Sequence, residues 1–333
     1  MSGRYSDQDV EHYERPRRRT RPRTKERPTY DDAQDGVVIT VDRGRLTLQV
    51  GEGSAARTVT AMKARPLGRK GVVVGDHVRV VGDTSGQDGT LARIVEVSER
   101  STVLRRTADD DDPVERVIVA NASQLVVVTA LANPDPQPRL IDRALVAAFD
   151  AGMRPLLCLT KADLANPETL LGTYRSLGVP WVVTQRGGDL EALRQRLRGQ
   201  VSVLVGSSGV GKSTLVNSLV PDAQRDVGVV NAVTGRGRHT STSAYMLPLP
   251  DGEGWIIDTP GIRSFGLAHV QPEDLIEAFP DLDEMTEDCP RGCTHAEDEP
   301  ECGLDEAVAA GRLDPDRVGS FRRLLEARSA PER

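Results

Sequence analysis

The chain has 333 residues, 38% of them hydrophobic, with 43 Lys/Arg against 50 Asp/Glu and a formal charge of −7. No apolar run approaches the roughly 20 residues of a membrane span, and the N-terminus is Arg-rich where a signal peptide would be apolar. A soluble cytoplasmic protein of two or three domains is therefore expected. The charge is uneven: residues 1–30 hold nine Lys/Arg and five Asp/Glu, net +4, so the remainder carries −11. Nucleic-acid contact, if any, has to be local.

Residues 15–27, "RPRRRTRPRTKER", offer nothing apolar to bury. The segment 1–35 is expected to be a disordered basic arm, either a phosphate-binding arm acting through counterion release or a solubilising tail. From residue 36 to about 106 come short alternating runs, "GVVITVDRGRLTLQV", "ARTVTAMKA", "DHVRVVG" and "LARIVEVSE", separated by Gly and Asp turns. That spacing predicts a small antiparallel barrel over 36–108, of the oligonucleotide-binding (OB) type or another small barrel. Aromatic stacking platforms are missing there, so RNA contact would rest on charges such as Arg65, Arg69 and Lys70.

"RRTADDDDPVER" reads as an exposed connector. Beyond it strands ("QLVVVTAL", "PLLCLT", "WVVT", "VSVLVG") alternate with amphipathic helical runs, which predicts a parallel sheet with crossover helices over 113–270. The remainder, 271–333, is mostly helical around a Cys/His cluster.

Gly206-Ser207-Ser208-Gly209-Val210-Gly211-Lys212-Ser213-Thr214 follows an apolar strand and opens the run "KSTLVNSLV". This is the phosphate-loop pattern: backbone N–H groups wrap the phosphates, Lys212 reaches the β and γ phosphates, and Ser213 ligates Mg²⁺. "GWIIDTPG" then sets Asp258 at the end of a second apolar strand, where it can hold Mg²⁺, with the Gly261 N–H placed to sense a γ-phosphate. Between them, "VVNAVTGRGRHTSTSAY" stands where a switch segment belongs. Either Thr240 or Thr242 would complete the Mg²⁺ shell, and His239 would either orient the attacking water, face RNA or play a structural part.

Thr160-Lys161-Ala162-Asp163 also follows an apolar strand, as a guanine-binding N/T-K-x-D loop does. The Asp163 carboxylate can accept from guanine N1–H and N2–H₂, a donor pair adenine lacks, so an unsatisfied carboxylate is what rejects adenine. A second base-contacting loop is expected near residues 184–185. The loops thus run in cyclically shifted order, the base loop before the phosphate loop, and a parallel sheet tolerates this because ligand binds at the same strand ends wherever the chain is cut.

Cys289-x₃-Cys293-x-His295-x₆-Cys302 supplies three thiolates and an imidazole, a set suited to one closed, tetrahedral, structural Zn²⁺. Cys158, on an apolar strand, reads as core. Amphipathic helices after the cluster would cover it, with Arg317, Arg322 and Arg323 either available for RNA or simply on a solvated helix face.

The shifted loop order, "GSSGVGKSTLVNSL", "GRGRHTST", "DTPGIRSFGL" and the Cys/His cluster resemble the ribosome small-subunit-dependent GTPase A family, RsgA or YjeQ, over about residues 36–325. The resemblance implies an OB domain, a circularly permuted GTPase domain and a C-terminal zinc domain. It also implies a GTPase that binds the 30S particle and its 16S rRNA late in maturation and is stimulated by it, and a monomer is expected. Two residues depart from common GTPase patterns: Thr160 stands where many have Asn, and Ile262 where Ras-like enzymes place a water-orienting Gln. His239 takes that role in this reading. A P-loop ATPase or kinase with an accidental T-K-A-D, and an RNA-binding module using nucleotide only as an affinity switch, are the competing readings.

Overall fold

The computed structural model describes residues 30–42, 44–67, 71–107, 115–221, 244–252, 254–259, 265, 267 and 269–329. His239, Thr240, Thr242, Gly261 and Ile262, together with Arg69, Lys70 and most of the basic arm, lie outside them.

Five strands, β1 (Gln34–Asp42), β2 (Arg45–Val50), β3 (Arg57–Lys63), β4 (His77–Gly82) and β5 (Ala92–Val97), close into a barrel in the order β1-β2-β3-β5-β4 with β4 returning to β1. β3 and β5 are parallel and the other pairs antiparallel. The interior is aliphatic: Val38, Leu46, Leu48, Val59, Val78, Val80 and Ile94 are buried together. A register shift between Val38 and Thr40 bends β1. Such a bulge re-aims side chains, and here Val38 fills the barrel while its neighbour Ile39 packs into the larger core outside it.

The connector reading of "RRTADDDDPVER" is corrected at both ends. Val103–Thr107 and Glu115–Ala120 are antiparallel strands β6 and β7, so the acidic run at 108–114 lies between two paired strands. Local polarity suggested a loop, and Arg105 and Arg116 are indeed exposed, but the ends of the stretch are paired and the flanking Leu104 and Val119 are buried. The hairpin is held to the barrel by Val74, which bridges Val119, and by Gly75, where a Cβ would sit 2.0 Å from the Ala120 carbonyl oxygen. Beside it the fully buried Asp76 carboxylate accepts two hydrogen bonds from Arg100, at 2.7 and 2.8 Å, and one from the Val73 N–H at 2.8 Å.

The second half of the sheet consists of β8 (Gln124–Ala130), β9 (Arg154–Thr160), β10 (Trp181–Val183), β11 (Val201–Val205), β12 (Tyr245–Pro248) and β13 (Trp255–Asp258), in the order β10-β9-β8-β11-β13-β12. All neighbours are parallel except β12 with β13. Every residue of β8 is buried, as a central parallel strand covered on both faces requires. Alternate side chains serve two cores. Leu125, Val127, Leu157, Leu159, Val203 and Ile257 meet α1 (Pro138–Asp150) and α2 (Glu168–Tyr174) on one face. Val126, Leu156, Cys158, Leu204 and Ile256 meet α3 (Glu191–Leu197) and α4 (Lys212–Leu219) on the other.

The C-terminal helices α5 (Pro272–Ile276), α6 (Pro280–Asp283), α7 (Gly303–Ala309) and α8 (Pro315–Ser329) share the first of these cores. Phe279 stands at its centre, edge-on to Phe149 of α1 and Phe321 of α8 with ring centroids 4.8 and 5.4 Å away. No helix among the described residues is long and apolar enough to cross a membrane.

Candidate functional site

Three segments singled out in the sequence leave the sheet at the carboxyl ends of parallel strands β9, β11 and β13, which is where open α/β sheets bind ligands. The phosphate-loop segment leaves β11 at Gly206, where backbone crowding forbids a side chain: a Cβ would lie 2.3 Å from the Val128 carbonyl oxygen. Gly209 and Gly211 take φ of +81° and +95°, values reserved in practice for glycine. Gly211 is the residue before α4, so the first N–H groups of that helix open onto the loop. Val210 is 2% exposed and anchors the loop in the core below. Ser207 is half-buried, while Ser208, Ser213 and Thr214 face solvent.

Lys212 is directed across the loop. Its Nζ donates to the Thr259 carbonyl at 3.1 Å and faces Asp258 Oδ1 at 3.0 Å. Asp258 is buried, and among the described residues Oδ1 accepts no hydrogen bond and has the Lys212 ammonium as its compensating charge. The other oxygen, Oδ2, accepts from the Tyr245 hydroxyl at 2.8 Å. Burial and the Asp258 charge push the Tyr245 phenol well above its ordinary range, so it keeps its proton and donates. Thr259 is held in turn by its hydroxyl, which donates to Leu204 O at 2.9 Å.

The T-K-A-D loop at the end of β9 is tied to the phosphate loop. The buried Thr160 hydroxyl donates to the Val210 carbonyl at 2.5 Å, with the Thr129 carbonyl 3.3 Å away. From its place in the motif Thr160 reads only as a shorter stand-in for Asn at the base; the fold gives it a bridging hydrogen bond between loops. Lys161 has φ of +57° and its ammonium donates to the Asn133 carbonyl. The Asn133–Pro134 turn also reaches the phosphate loop, since a Cβ on Gly209 would lie 3.7 Å from Pro134 Cδ. Ala162 N donates to the Thr184 carbonyl at 3.2 Å, which brings the 184–185 segment beside the loop, and Asp163 is exposed there with its carboxylate available. Cys158 is fully buried, and burial pushes its thiol up to about 12, which fits a core residue.

Cys289, Cys293, His295 and Cys302 are also assembled: their ligand atoms all lie within 4.8 Å of one another. The three sulfurs stand 3.8, 3.4 and 3.7 Å from His295 Nδ1, so Nδ1 is the inward nitrogen. His295 takes φ of +59° to turn back into the group. Gly303 is required beside it, because a Cβ would meet the Met285 carbonyl oxygen at 2.2 Å, and its N–H donates to Cys289 Sγ at 3.1 Å. Burial and the neighbouring sulfurs push the Cys293 thiol up to about 12, while burial lowers the His295 imidazole and keeps it neutral. Three sulfurs this close ionise together only around a cation. The donor set therefore fits a metal ion, with a neutral imidazole lone pair as the fourth ligand.

The expectation that Arg317, Arg322 and Arg323 are available for RNA is corrected. Arg317 pairs with Asp281 through two nitrogens at 2.8 and 2.9 Å and stacks over Phe279. Arg322 pairs with Asp305 through two bonds of 2.8 Å and donates to the His295 carbonyl at 3.1 Å, tying α8 to the Cys/His group. Arg323 meets Asp142 at 3.3 Å and lies over the Tyr174 ring. Arg323, and Arg317 through the Ser176 carbonyl at 3.0 Å, fasten α8 to the sheet domain, whereas Arg322 ties it to its own neighbours in the C-terminal segment. Sequence reasoning missed Tyr245, Thr259 and the Asn133 carbonyl; each acts through a partner far away in sequence or through its backbone, so no local spacing marks it.

The RsgA GTPase family model matches residues 97–268. A Pseudomonas putida protein named small ribosomal subunit biogenesis GTPase RsgA is 40% identical over 301 residues, spanning 88% of this chain and 85% of its own length. The crystal structure of YjeQ from Thermotoga maritima superposes with a TM-score of 0.65 at 25% identity, over 89% of this chain and 98% of that one. YloQ, described as a circularly permuted GTPase, has the same fold, with a TM-score of 0.63 at 23% identity over 92% of this chain and 99% of that one. With the phosphate-loop segment, the earlier T-K-A-D loop and Asp258 meeting at the carboxyl ends of the parallel strands, the chain belongs to the RsgA GTPase family and is a GTP hydrolase.

Proposed function

We propose that this GTPase binds the small (30S) ribosomal subunit, including its 16S rRNA, as a cytoplasmic monomer and assists late subunit maturation, hydrolysing GTP to GDP and phosphate with stimulation by the particle. The observation that carries the reading is the hydrogen bond from Thr160 to Val210, which joins the base loop to the phosphate loop although the base loop comes first in the chain. The name carried by the Pseudomonas putida relative supplies the subunit. The organisation we infer is a basic arm over 1–35, an OB barrel over 36–108, a permuted GTPase domain over 113–270 and a zinc-binding helical domain over 271–333.

In this reading Asp163 and Lys161 select guanine, with Thr160 and Ala162 shaping their loop. The backbone N–H groups of residues 206–214 wrap the phosphates. Lys212, whose ammonium faces Asp258, turns to the β and γ phosphates when nucleotide enters. Asp258, Ser213 and one of Thr240 and Thr242 would hold Mg²⁺, which when bound neutralises charge on the transferring phosphoryl group. Gly261 senses the γ-phosphate, and His239 orients the attacking water. Cys289, Cys293, His295 and Cys302 would hold one structural Zn²⁺. With four protein donors the site has no open position for substrate, so its part is to set the shape of the helical domain.

The decisive experiment compares GTP turnover by the full chain with and without purified 30S particles. Stimulation by the particle, absent with ATP, is expected. Turnover unchanged by 30S would refute the assignment to the subunit, and equal use of ATP and GTP would refute the roles given to Lys161 and Asp163.

A further inference from the structure

The barrel and the parallel sheet form one continuous sheet, and the residues paired at their join are Thr40 of β1 and Tyr245 of β12. Tyr245 belongs to two ladders, for on its other side it lies directly opposite Asp258 of β13. Opposed residues of an antiparallel pair project from the same face of the sheet at close range. This register explains why the phenol reaches Oδ2 of Asp258 at 2.8 Å while Oδ1 faces Lys212 at 3.0 Å.

We infer that Tyr245 is a positioning residue: it fixes the Asp258 carboxylate for its cation and makes that carboxylate mechanically continuous with barrel strand β1. The inference rests on the assignment of Asp258 to Mg²⁺. Without the phenol, both carboxylate oxygens could turn to the Lys212 ammonium. With it, Oδ2 is occupied and Oδ1 alone is contested between Lys212 and an incoming Mg²⁺ or its water. The same side chain carries displacement, because hydrogen bonds weaken steeply as their angle closes. A shift of β1 moves the Tyr245 backbone and tilts the bond to Asp258, and a cation seated at Asp258 restrains β1.

The test uses the full-length Tyr245→Phe variant, which keeps the ring and removes one hydroxyl. Retention of N-methylanthraniloyl-GDP is measured across Mg²⁺ concentrations, and amide hydrogen exchange in β1 is measured with and without Mg²⁺ and GDP. A hydrogen bond to a charged group is worth enough to raise the Mg²⁺ concentration for half-maximal retention about tenfold, with Mg²⁺-free retention unchanged. The slowing of β1 exchange that Mg²⁺ and GDP produce in the wild type is expected to disappear in the variant. Asp258→Asn should show the same loss, and adding Tyr245→Phe to it should change nothing further. The inference is overturned if the variant's Mg²⁺ requirement stays within about twofold of wild type, if retention falls equally with and without Mg²⁺, if the two substitutions add, or if β1 exchange responds alike in both proteins. A wild type whose GDP retention ignores Mg²⁺ would remove the Asp258 assignment and this inference with it.

Discussion

Thr160→Val isolates the bond between the T-K-A-D loop and the segment 206–214 proposed to hold base and phosphates. The side chains have the same shape, so the substitution exchanges a hydroxyl for a methyl in a position 6% exposed. The hydroxyl has one proton, and of its two carbonyl neighbours Val210 O at 2.5 Å takes it in preference to Thr129 O at 3.3 Å. Valine therefore leaves one carbonyl without its side-chain donor beneath a residue that is 2% exposed. Losing such a partner costs about 1–3 kcal/mol. Part of that cost falls on global stability and part on the alignment of the two loops, which only bound nucleotide requires. With about 1.4 kcal/mol per tenfold in affinity, GDP binding is expected to weaken by roughly three- to tenfold while urea unfolding shows a loss of about 1–2 kcal/mol. The preference for GDP over ADP should be unchanged, since Asp163 is untouched. Fluorescent-nucleotide titration and equilibrium unfolding read both numbers. Wild-type GDP affinity in the variant would refute the bridge, and a changed base preference would show that Thr160 contacts the base instead.

Gly206→Ala brings a Cβ to 2.3 Å from the Val128 carbonyl, a clash of backbone with no flexible end to yield. It should destabilise the chain by about 3 kcal/mol, the upper part of the overpacking range, and abolish GDP binding; a normal melting temperature would contradict the close approach. A chelator should release one equivalent of zinc from the wild type in a colorimetric assay, Cys302→Ser should be isolated with less, and either change should speed amide exchange in α7 and α8 before the barrel is affected; unchanged exchange would show the Cys/His group to be metal-independent. Acid should loosen the same helices for a different reason. Hydrogen bonds from Arg317 and Arg322 hold the Asp281 and Asp305 carboxyls below their ordinary value. Their stabilisation is complete above the unfolded-state value and is lost as pH falls through the depressed folded one. Asp142, raised by burial, has the opposite sign and favours the folded chain more at low pH. Exchange measured from neutral pH downward should therefore show the Arg317 and Arg322 ends of α8 opening in the acid range and Asp305→Asn opening the Arg322 end already at neutral pH; a pH-independent α8 would refute both ties.

What the sequence made legible is what short spacing encodes. The phosphate loop, the T-K-A-D loop and the Cys/His cluster each lie within a few residues of their own parts. The alternating sequence runs likewise announce β-structure, and burial follows period 2 in β3 and β4, whereas β1, β2 and β5 bury neighbouring residues as well. What stayed hidden depends on distant partners. The acids of "ADDDDP" disguised a paired hairpin because the burial of Leu104 and Val119 is decided by the barrel and sheet around them. Arg317, Arg322 and Arg323 looked like a free basic face because Asp281, Asp305 and Asp142 stand 36, 17 and 181 residues away. Thr160 looked like a weakened Asn because its acceptor is a backbone carbonyl 50 residues on, and carbonyls leave no mark in a sequence.

The cyclic order of the loops has a structural consequence that the sheet makes concrete. Opening the chain elsewhere leaves the strand ends where nucleotide binds unchanged, but it alters what is attached to each strand. Here β12, an antiparallel strand at the edge of the nucleotide-binding half, joins the barrel, and β13 runs on toward the C-terminal helices. Phe265 and Leu267, soon after Asp258, are buried in the same core as Phe279 and Phe321. Arg143 of α1 fastens that junction, donating to the Phe265 carbonyl and, at 3.1 Å, to the carbonyl of Ala327 in α8. Asp258 therefore stands between two appended modules: across the ladder it reaches β12 and the barrel, and along the chain it reaches the helices that carry the Cys/His group. The permutation leaves the chemistry at the same strand ends while directing both exits from the phosphate site into modules with surfaces of their own.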